Sequence, residues 1–220
     1  MRLALAAASL LLLAYVLPVD RVVLQLAKQH EALPPLRVEA KLEGIGDSWP
    51  ERVTFELHPQ YGFRLESDRG QRWLFQADGG LVGSLLPPPP WIPDLRLLTL
   101  ADPELLAELV TATGLDPESS ELARCGEFDC FVLGGRTATA QLWVEKDRFE
   151  ILELVDTQGS RTRYGGYREW SKVRFPAAIE ILDAYGSVGR LQIENVKTAS
   201  SLRGEDFSPL WVHSPEASHE

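Results

Sequence analysis

The 220-residue sequence contains few of the residues that build metal and redox sites, with two cysteines, four histidines and one methionine. Basic residues are also scarce: 22 Lys and Arg stand against 32 Asp and Glu, which gives a formal net charge of −10. Because a nucleic acid requires a basic surface and no Lys/Arg cluster occurs, we expect no nucleic-acid partner. With 45% hydrophobic residues the chain is too apolar to be disordered, and its length predicts one domain.

The sequence lacks the arrangements typical of enzyme active sites. The histidines do not have the spacing of a metal-binding helix pair, and no G-x-S-x-G motif occurs. Gly46-Asp47-Ser48 resembles the start of one esterase family, but the downstream Asp-x-x-His that would supply the base is absent, and Trp49-Pro50 follow where that family has a helix. We therefore predict no catalytic residue, no metal and no cofactor, and interpret residues 46–48 as a turn; a Ser48 hydrolase is the least favoured alternative.

Only one pair of cysteines, Cys125 and Cys130, is available for cross-linking. Their C-x4-C spacing is not that of a redox motif, and two ligands do not make a zinc site. The flanking segments alternate like strands, and Gly126-Glu127 can form the turn between them. We therefore predict a disulfide across a tight hairpin, which indicates an oxidising compartment.

The N-terminus carries the longest apolar run, Leu3 to Leu17, directly after Arg2. The run is shorter than the roughly 20 residues of a membrane span. A positive residue followed by apolar and small residues is typical of a secretory signal, although an uncleaved anchor formed by residues 3–17 is the alternative. Both interpretations export the remainder, which divides into one domain at 19–213 and a polar tail at 214–220.

Short alternating segments, separated by turn residues, predict a large antiparallel β-sheet. Connections of this length are too short for parallel crossovers. The eleven predicted strands are 37–43, 52–58, 63–66, 72–76, 121–125, 130–133, 138–145, 150–156, 162–167, 177–182 and 190–196.

Two helices are predicted beside the sheet. Residues 20–33 have Asp20 as a candidate cap, and residues 102–113 have Asp102 as the cap and Gly114 at the exit. The run Pro87–Pro90 predicts a stiff extended connection, with binding to a partner domain as the alternative. The predicted fold class is therefore α+β.

Large apolar side chains are abundant on the predicted strands. If the sheet curls into a partial barrel, Phe55, Phe63, Trp73, Phe75 and Trp143 line a cavity. The alternative is that they simply fill a core. The pattern does not show whether Leu142 or Trp143 faces inward, because a shift of one residue in register exchanges the two faces.

The order and spacing of several short motifs between about residues 20 and 210 resemble those of the LolA/LolB-like superfamily, the lipoprotein carriers of bacterial envelopes. No single motif is specific. They are Pro59-Gln60-Tyr61-Gly62-Phe63-Arg64, Ala77-Asp78-Gly79, Leu142-Trp143-Val144-Glu145-Lys146 with the following Phe149 to Leu154, Val173-Arg174-Phe175-Pro176-Ala177-Ala178-Ile179, and the closing segment from Val196 through Phe207-Ser208-Pro209.

The resemblance implies a curved sheet of about 11 strands forming a half-barrel, closed by two or more helices. It implies a monomeric periplasmic carrier or sensor that binds lipid or lipoprotein acyl chains and aids transport to the outer membrane. Inner- or outer-membrane proteins are its expected partners; a non-enzymatic envelope regulatory or assembly module is the alternative. His58 stands where the family has an arginine that holds its lid, and is the candidate for that role. The residues expected to contact lipid are Val53, Phe55, Leu57, Phe63, Leu65, Trp73, Phe75, Leu105, Leu106, Leu109 and Trp143.

Overall fold

The computed structural model describes residues 16–44, 50–85, 87–183 and 186–214. Helices are α1 (Val19–Glu31), α2 (Pro103–Ala112) and α3 (Leu210–His213), with 3-10 turns η1 (Leu95–Leu98) and η2 (Gly204–Phe207). Strands are β1 (Leu36–Gly44), β2 (Arg52–His58), β3 (Gly62–Ser67), β4 (Arg72–Gln76), β5 (Leu81–Gly83), β6 (Ser120–Cys125), β7 (Phe128–Leu133), β8 (Gln141–Glu145), β9 (Ile151–Val155), β10 (Arg161–Gly165), β11 (Arg168–Trp170), β12 (Val173–Phe175), β13 (Ala178–Asp183) and β14 (Gly186–Thr198).

Three predicted segments fall largely or wholly outside the described residues: the targeting segment, the turn at 46–48 and the C-terminal tail. The targeting segment is described only at residues 16–18, and Ser48 is not described at all. Among the described residues, no helix combines the length and the apolar character needed to cross a membrane.

Twelve of the strands form one antiparallel sheet in the order β5-β4-β3-β2-β1-β14-β13-β10-β9-β8-β7-β6. It consists of two meanders, β1 to β5 and β6 to β10, joined through β14 and β13. The sheet is curved and unclosed, so the α+β half-barrel prediction is confirmed. Strands β5, β11 and β12 were not predicted, because a strand of three residues is too short to show alternation.

The concave face of the sheet is built from matched rows of buried side chains. Val38, Phe55, Leu65 and Trp73 are cross-strand neighbours from β1 to β4, and none of them is exposed. Burying an aliphatic or aromatic side chain contributes roughly 1.5–3 kcal/mol. Such rows fix the register, because a shift of one residue would turn every apolar side chain to the other face.

The two long helices cover this concave face. In α1 the buried positions follow helical spacing, with Val22, Val23, Leu26 and Ala27 against the core. The helix begins one residue earlier than predicted, with Pro18 at the N-cap position. Asp20 therefore lies in the first turn and forms no cap hydrogen bond; its charge complements the helix dipole instead.

The capping prediction for α2 is confirmed. The Asp102 carboxylate accepts hydrogen bonds from the backbone N–H groups of Glu104 and Leu105, at 2.9 and 3.1 Å. Gly114 follows the helix with φ +86°, a conformation that suits glycine after a helix end. The Asp102 cap and the Gly114 conformation thus mark the beginning and the end of α2.

The proline-rich segment is a connection between β5 and η1. Its anchor is Trp91, which is buried and meets Trp73 edge to face, with ring centroids 6.0 Å apart. The segment therefore carries the chain from the sheet edge into the helical layer, which consists of α1, η1 and α2.

The predicted hairpin disulfide is present between Cys125 and Cys130, whose Cα atoms lie 6.1 Å apart. Cys125 pairs with Phe128 in the ladder, so Gly126 and Glu127 form the two-residue turn. The bond fastens the end of β6, which is the edge strand of its half of the sheet.

The other face of the sheet is partly covered by the C-terminal residues. Leu74 of β4 joins Leu202, Phe207 and Val212 in a second, smaller apolar cluster. Ser214, which the sequence analysis assigned to the polar tail, accepts a hydrogen bond from Arg72 through its carbonyl oxygen at 2.7 Å. The remaining tail, 215–220, lies outside the described residues.

Candidate functional site

Most of the residues expected to contact lipid lie in the filled core between the sheet and the helical layer. Their exposed fractions are at most 8%, so in this conformation side chains occupy the interior of the half-barrel. Leu105 and Leu109 are half-buried against the same core. The fully packed residues are Val53, Phe55, Leu57, Phe63, Leu65, Trp73, Phe75 and Leu106.

Trp143 is separated from that group by its position on β8. Leu142 is fully buried in the core, so Trp143 points to the opposite face of the sheet, where Glu153 is its cross-strand partner. Its indole N–H donates to the Gln141 side-chain oxygen at 3.0 Å. The choice between Leu142 and Trp143, which the sequence analysis left open, is thereby resolved in favour of Leu142.

His58 also lies away from the helical layer. Its ring is tilted against that of Tyr61, with 4.4 Å between the centroids, and it meets the edge of Phe207 at 5.7 Å. Its Nδ1 accepts a hydrogen bond from the backbone N–H of Gln60. Burial lowers the pKa of His58. The structure therefore places this lid-holding candidate with the C-terminal segment rather than with α2.

A cavity of about 220 Å³, which we call the end cavity, opens at one end of the half-barrel. It lies between the C-terminal end of α1, the turn between β8 and β9, and the residues around β12. The apolar part of its lining is Leu33, Leu98, Phe149, Ile151, Phe175 and Pro176; the polar part is Gln29, His30, Arg148, Glu150, Tyr167 and Arg174.

His30 joins α1 to the segment after η1 at the inner wall of this cavity. Its Nδ1–H donates to the Leu100 carbonyl oxygen at 2.9 Å, which fixes the tautomer because a carbonyl only accepts. The side chain is 7% exposed, and burial lowers the pKa of His30. The imidazole is thus held neutral in a largely apolar environment.

An ion pair and the half-buried phenol of Tyr167 form the outer wall. Arg174 pairs with Glu150, and the hydrogen bond to this carboxylate raises the pKa of Arg174. The Tyr167 hydroxyl donates to the Ile151 carbonyl oxygen at 2.8 Å, and burial raises the pKa of Tyr167. Both groups therefore keep their ordinary charge states at neutral pH.

The turn between β8 and β9 is held by an unusual set of bonds. The buried Glu145 carboxylate accepts from the backbone N–H groups of Asp147 and Arg148, at 3.1 and 2.6 Å. On the other side, the Gln29 side chain of α1 donates to the Arg148 carbonyl oxygen at 2.9 Å. Phe149 adopts φ +52°, a left-handed conformation that is strained for a bulky residue.

A second, wider depression of about 800 Å³, the side groove, lies on the face that carries Trp143. Glu153, Arg163, Glu180 and Arg190 form a cross-strand row of alternating charge along it. The side groove shares Arg148, Glu150, Tyr167 and Arg174 with the end cavity. The two openings therefore meet at one polar rim.

The helical layer is fastened to the sheet by an arginine that the sequence analysis missed. Arg96 of η1 is 8% exposed; it donates to the Gln76 carbonyl oxygen at 2.7 Å and pairs with Asp94 at 2.6 Å. A single arginine among Leu95, Leu97 and Leu98, two residues after an aspartate, was the available sequence signal.

Polar groups suited to a metal are absent from the described part of the chain, where no three His, Cys, Asp or Glu side chains cluster in a suitable arrangement. One polar atom of the core is unsatisfied: the buried Tyr164 hydroxyl has no hydrogen-bond partner among the described residues. Its burial raises the pKa of Tyr164, so it stays a neutral phenol.

Comparison with known proteins identifies the fold and nothing finer. No family model matches the sequence, and no curated protein matches it significantly. A crystal structure of a LolA superfamily protein from Nitrosomonas europaea is similar over 86% of this chain and 97% of that one, with 16% identity and a TM-score of 0.54. A DUF1329 family protein from Desulfovibrio piger is similar over 89% and 100%, with 11% identity and a TM-score of 0.49. The chain has a LolA-like fold.

Proposed function

We propose that this protein binds an acyl chain of a lipid or lipoprotein and carries or senses it without performing chemistry. The end cavity carries the proposal. It is an apolar opening that leads from solvent to the filled interior, beside the helices that cover the concave face. Each buried CH₂ group of an acyl chain would contribute roughly 0.8 kcal/mol.

The size of the cavity sets a condition on binding. Its volume of about 220 Å³ is below the roughly 300–1,000 Å³ of pockets that enclose small organic ligands. A complete acyl chain therefore requires the helical layer to move away from the sheet. The polar contacts that oppose this movement include Gln29 to Arg148 and Arg96 to Gln76, described above. Two further hydrogen bonds run from Ser120 of β6 to the Leu17 carbonyl oxygen and from the Ala101 backbone N–H to the Pro59 carbonyl oxygen.

The proposed location is the periplasm, with transport towards the outer membrane. The Cys125–Cys130 disulfide supports an exported protein, because such bonds persist in oxidising compartments. The LolA-like fold supports a carrier by analogy with the similar LolA superfamily protein.

Uptake of a neutral acyl ester, a monoacylglycerol with a 14-carbon chain, would test the proposal by native mass spectrometry and by displacement of a fluorescent ester. We expect one bound molecule per chain. Leu33→Trp should fill the end cavity and weaken binding at least tenfold. Leu210→Trp is the matched control, because Leu210 is 76% exposed on α3.

The thermal unfolding midpoints of both variants distinguish a filled cavity from a damaged fold. Equal affinity for the ester in Leu33→Trp and in the unchanged chain would show that the end cavity is not the binding site. Absence of any uptake by the unchanged chain would overturn the function itself.

The alternative function is a non-enzymatic module that binds an envelope protein. The observation in its favour is the side groove, which is larger than the end cavity and has the half-exposed Phe128 on its lining. A chain that takes up no acyl ester, while Phe128→Ser abolishes binding to one defined membrane-protein domain, would support this alternative.

A further inference from the structure

We infer that the rim of the end cavity binds the phosphate group of an anionic lipid, with Arg148 as the principal ligand. This inference rests on the proposed function, because it adds a head-group site to the acyl site. Arg148 belongs to the linings of both the end cavity and the side groove. A ligand whose chain enters the end cavity would therefore leave its polar end at this arginine.

The backbone of Arg148 is fixed from both sides. Its N–H donates to the Glu145 carboxylate at 2.6 Å, and its carbonyl oxygen accepts from Gln29 at 2.9 Å. Glu145 is 5% exposed, and the next residue, Phe149, stacks on Phe131 with ring centroids 5.9 Å apart. The turn is thus a built support, which fixes the backbone position from which one cation extends at the cavity opening.

The guanidinium of Arg148 is nevertheless unpaired, forming no ion pair or hydrogen bond with the described residues. Most arginines of the described chain behave differently, since each of the following eleven pairs with a carboxylate: Arg37, Arg52, Arg64, Arg72, Arg96, Arg124, Arg136, Arg161, Arg163, Arg174 and Arg190.

The neighbouring carboxylates are already engaged. Both oxygens of Glu145 accept backbone hydrogen bonds, and Glu150 pairs with Arg174. The third carboxylate of the turn, Asp147, is exposed and does not pair with Arg148. Arg148 is therefore a cation at the rim that forms no ion pair with a carboxylate among the described residues, so an anionic ligand can pair with it directly.

The chemistry of the anion follows from the geometry of arginine. The planar guanidinium donates two parallel hydrogen bonds to a phosphate or carboxylate, and it is more weakly hydrated than an ammonium. A phosphodiester beside an acyl chain combines such an anion with an apolar group that suits the end cavity. Inorganic phosphate offers the same anion without the acyl chain, so the test must separate the two.

Three probes provide this separation: a 14-carbon lysophosphatidylglycerol, the neutral monoacylglycerol with the same chain, and inorganic phosphate. Dissociation constants are measured by displacement of a neutral fluorescent acyl ester at 0.15 M salt. We expect the anionic lipid to bind at least tenfold more tightly than the neutral one. Millimolar inorganic phosphate should displace neither of the two lipids.

Arg148→Ala should reduce the tenfold preference for the anionic lipid to about one, because the guanidinium that pairs with the phosphate is removed. The matched control is Arg21→Ala on α1. Arg21 is also exposed and without an ion pair among the described residues, so both variants change the net charge equally. A preference that Arg21→Ala retains and Arg148→Ala loses assigns the head-group site to Arg148 rather than to overall charge.

The remaining outcomes distinguish the two proposals. Equal binding of both lipids to the unchanged chain, or a preference that survives Arg148→Ala, would overturn the head-group site and leave acyl binding intact. Arg148-dependent binding of inorganic phosphate without a preference between the lipids would also overturn it. No binding of either lipid would overturn the proposed function, and with it this inference.

Discussion

At the residue scale, His30 makes the contact between α1 and the segment that follows η1 sensitive to pH. It lies on α1, its Nδ1–H is bonded to the Leu100 carbonyl oxygen, and its other nitrogen has no described partner. Burial lowers the pKa of His30 below the ordinary 6.5, because the charged imidazolium would lose its hydration. Protonation therefore favours conformations in which α1 has moved.

We expect the free energy of unfolding to fall as the pH is lowered from 7.5 to 5.5. In the unfolded chain His30 gains a proton below about pH 6.5, whereas in the folded chain it gains one only at lower pH. The contribution of neutral His30 to stability is thus complete above pH 6.5, and it is lost as the pH falls through the lowered pKa of His30 in the folded chain. The steepest slope one such proton can produce is about 1.4 kcal/mol per pH unit.

Urea unfolding at several pH values measures this slope. His30→Gln, which keeps a side-chain donor for Leu100, should flatten it. His58→Gln should flatten it less, because His58 is only partly buried against the C-terminal segment. An unchanged slope in His30→Gln would place the acid-sensitive group elsewhere.

At the scale of elements, the C-terminal segment is a strap across the outer face of β3 and β4. Arg64 and Arg72 hold it by donating to the carbonyl oxygens of Asp206 and Ser214, each at 2.7 Å. Their guanidinium groups also lie over the Trp211 ring, at 4.7 and 5.3 Å from its centre. Trp211 therefore joins two cations that already have carboxylate partners on the sheet.

Trp211→Ala should loosen this strap without unfolding the sheet. Losing the two cation–π contacts costs about 1–2 kcal/mol locally. This loss raises the population of molecules in which the strap is released from the sheet roughly 5–30-fold. Tryptic cleavage at the exposed Arg203, followed by mass spectrometry, should accelerate by that factor. Cleavage at Lys197 in β14 is the internal control and should stay slow; equal acceleration at both sites would indicate global unfolding instead.

Elements with strong local signals were predictable from the sequence, and those formed by distant contacts were not. The helices predicted at 20–33 and 102–113 are observed at Val19–Glu31 and Pro103–Ala112. The packing of Phe207 against Leu74 joins positions more than 130 residues apart, so no local pattern indicates it. The same holds for the proposed head-group site, because Arg148 is distinguished by having no side-chain partner among the described residues, which only the three-dimensional structure reveals.

At the scale of the whole molecule, the fold has two layers that differ in how they are held. The sheet is a continuous ladder of twelve strands, whereas the helical layer rests on the concave face through apolar contacts and a few polar ones. Local opening draws on the less strongly held parts of a protein. Because the interior is filled, the proposed uptake of an acyl chain requires such an opening of the helical layer.

Arg96→Lys tests this coupling between layer opening and uptake. Lysine keeps the charge but loses the planar fork that reaches Asp94 and the Gln76 carbonyl oxygen together. A local loss of about 1–2 kcal/mol would raise the open population roughly 5–30-fold. In stopped-flow measurements with a fluorescent acyl ester, association and dissociation should accelerate by that factor. The dissociation constant should change little, because both rates pass through the same open state.

Arg37→Lys, which changes a half-exposed arginine on β1, is the matched control and should leave both rates unchanged. Lower stability in Arg96→Lys with unaltered rates would mean that the acyl chain enters without separation of the layers.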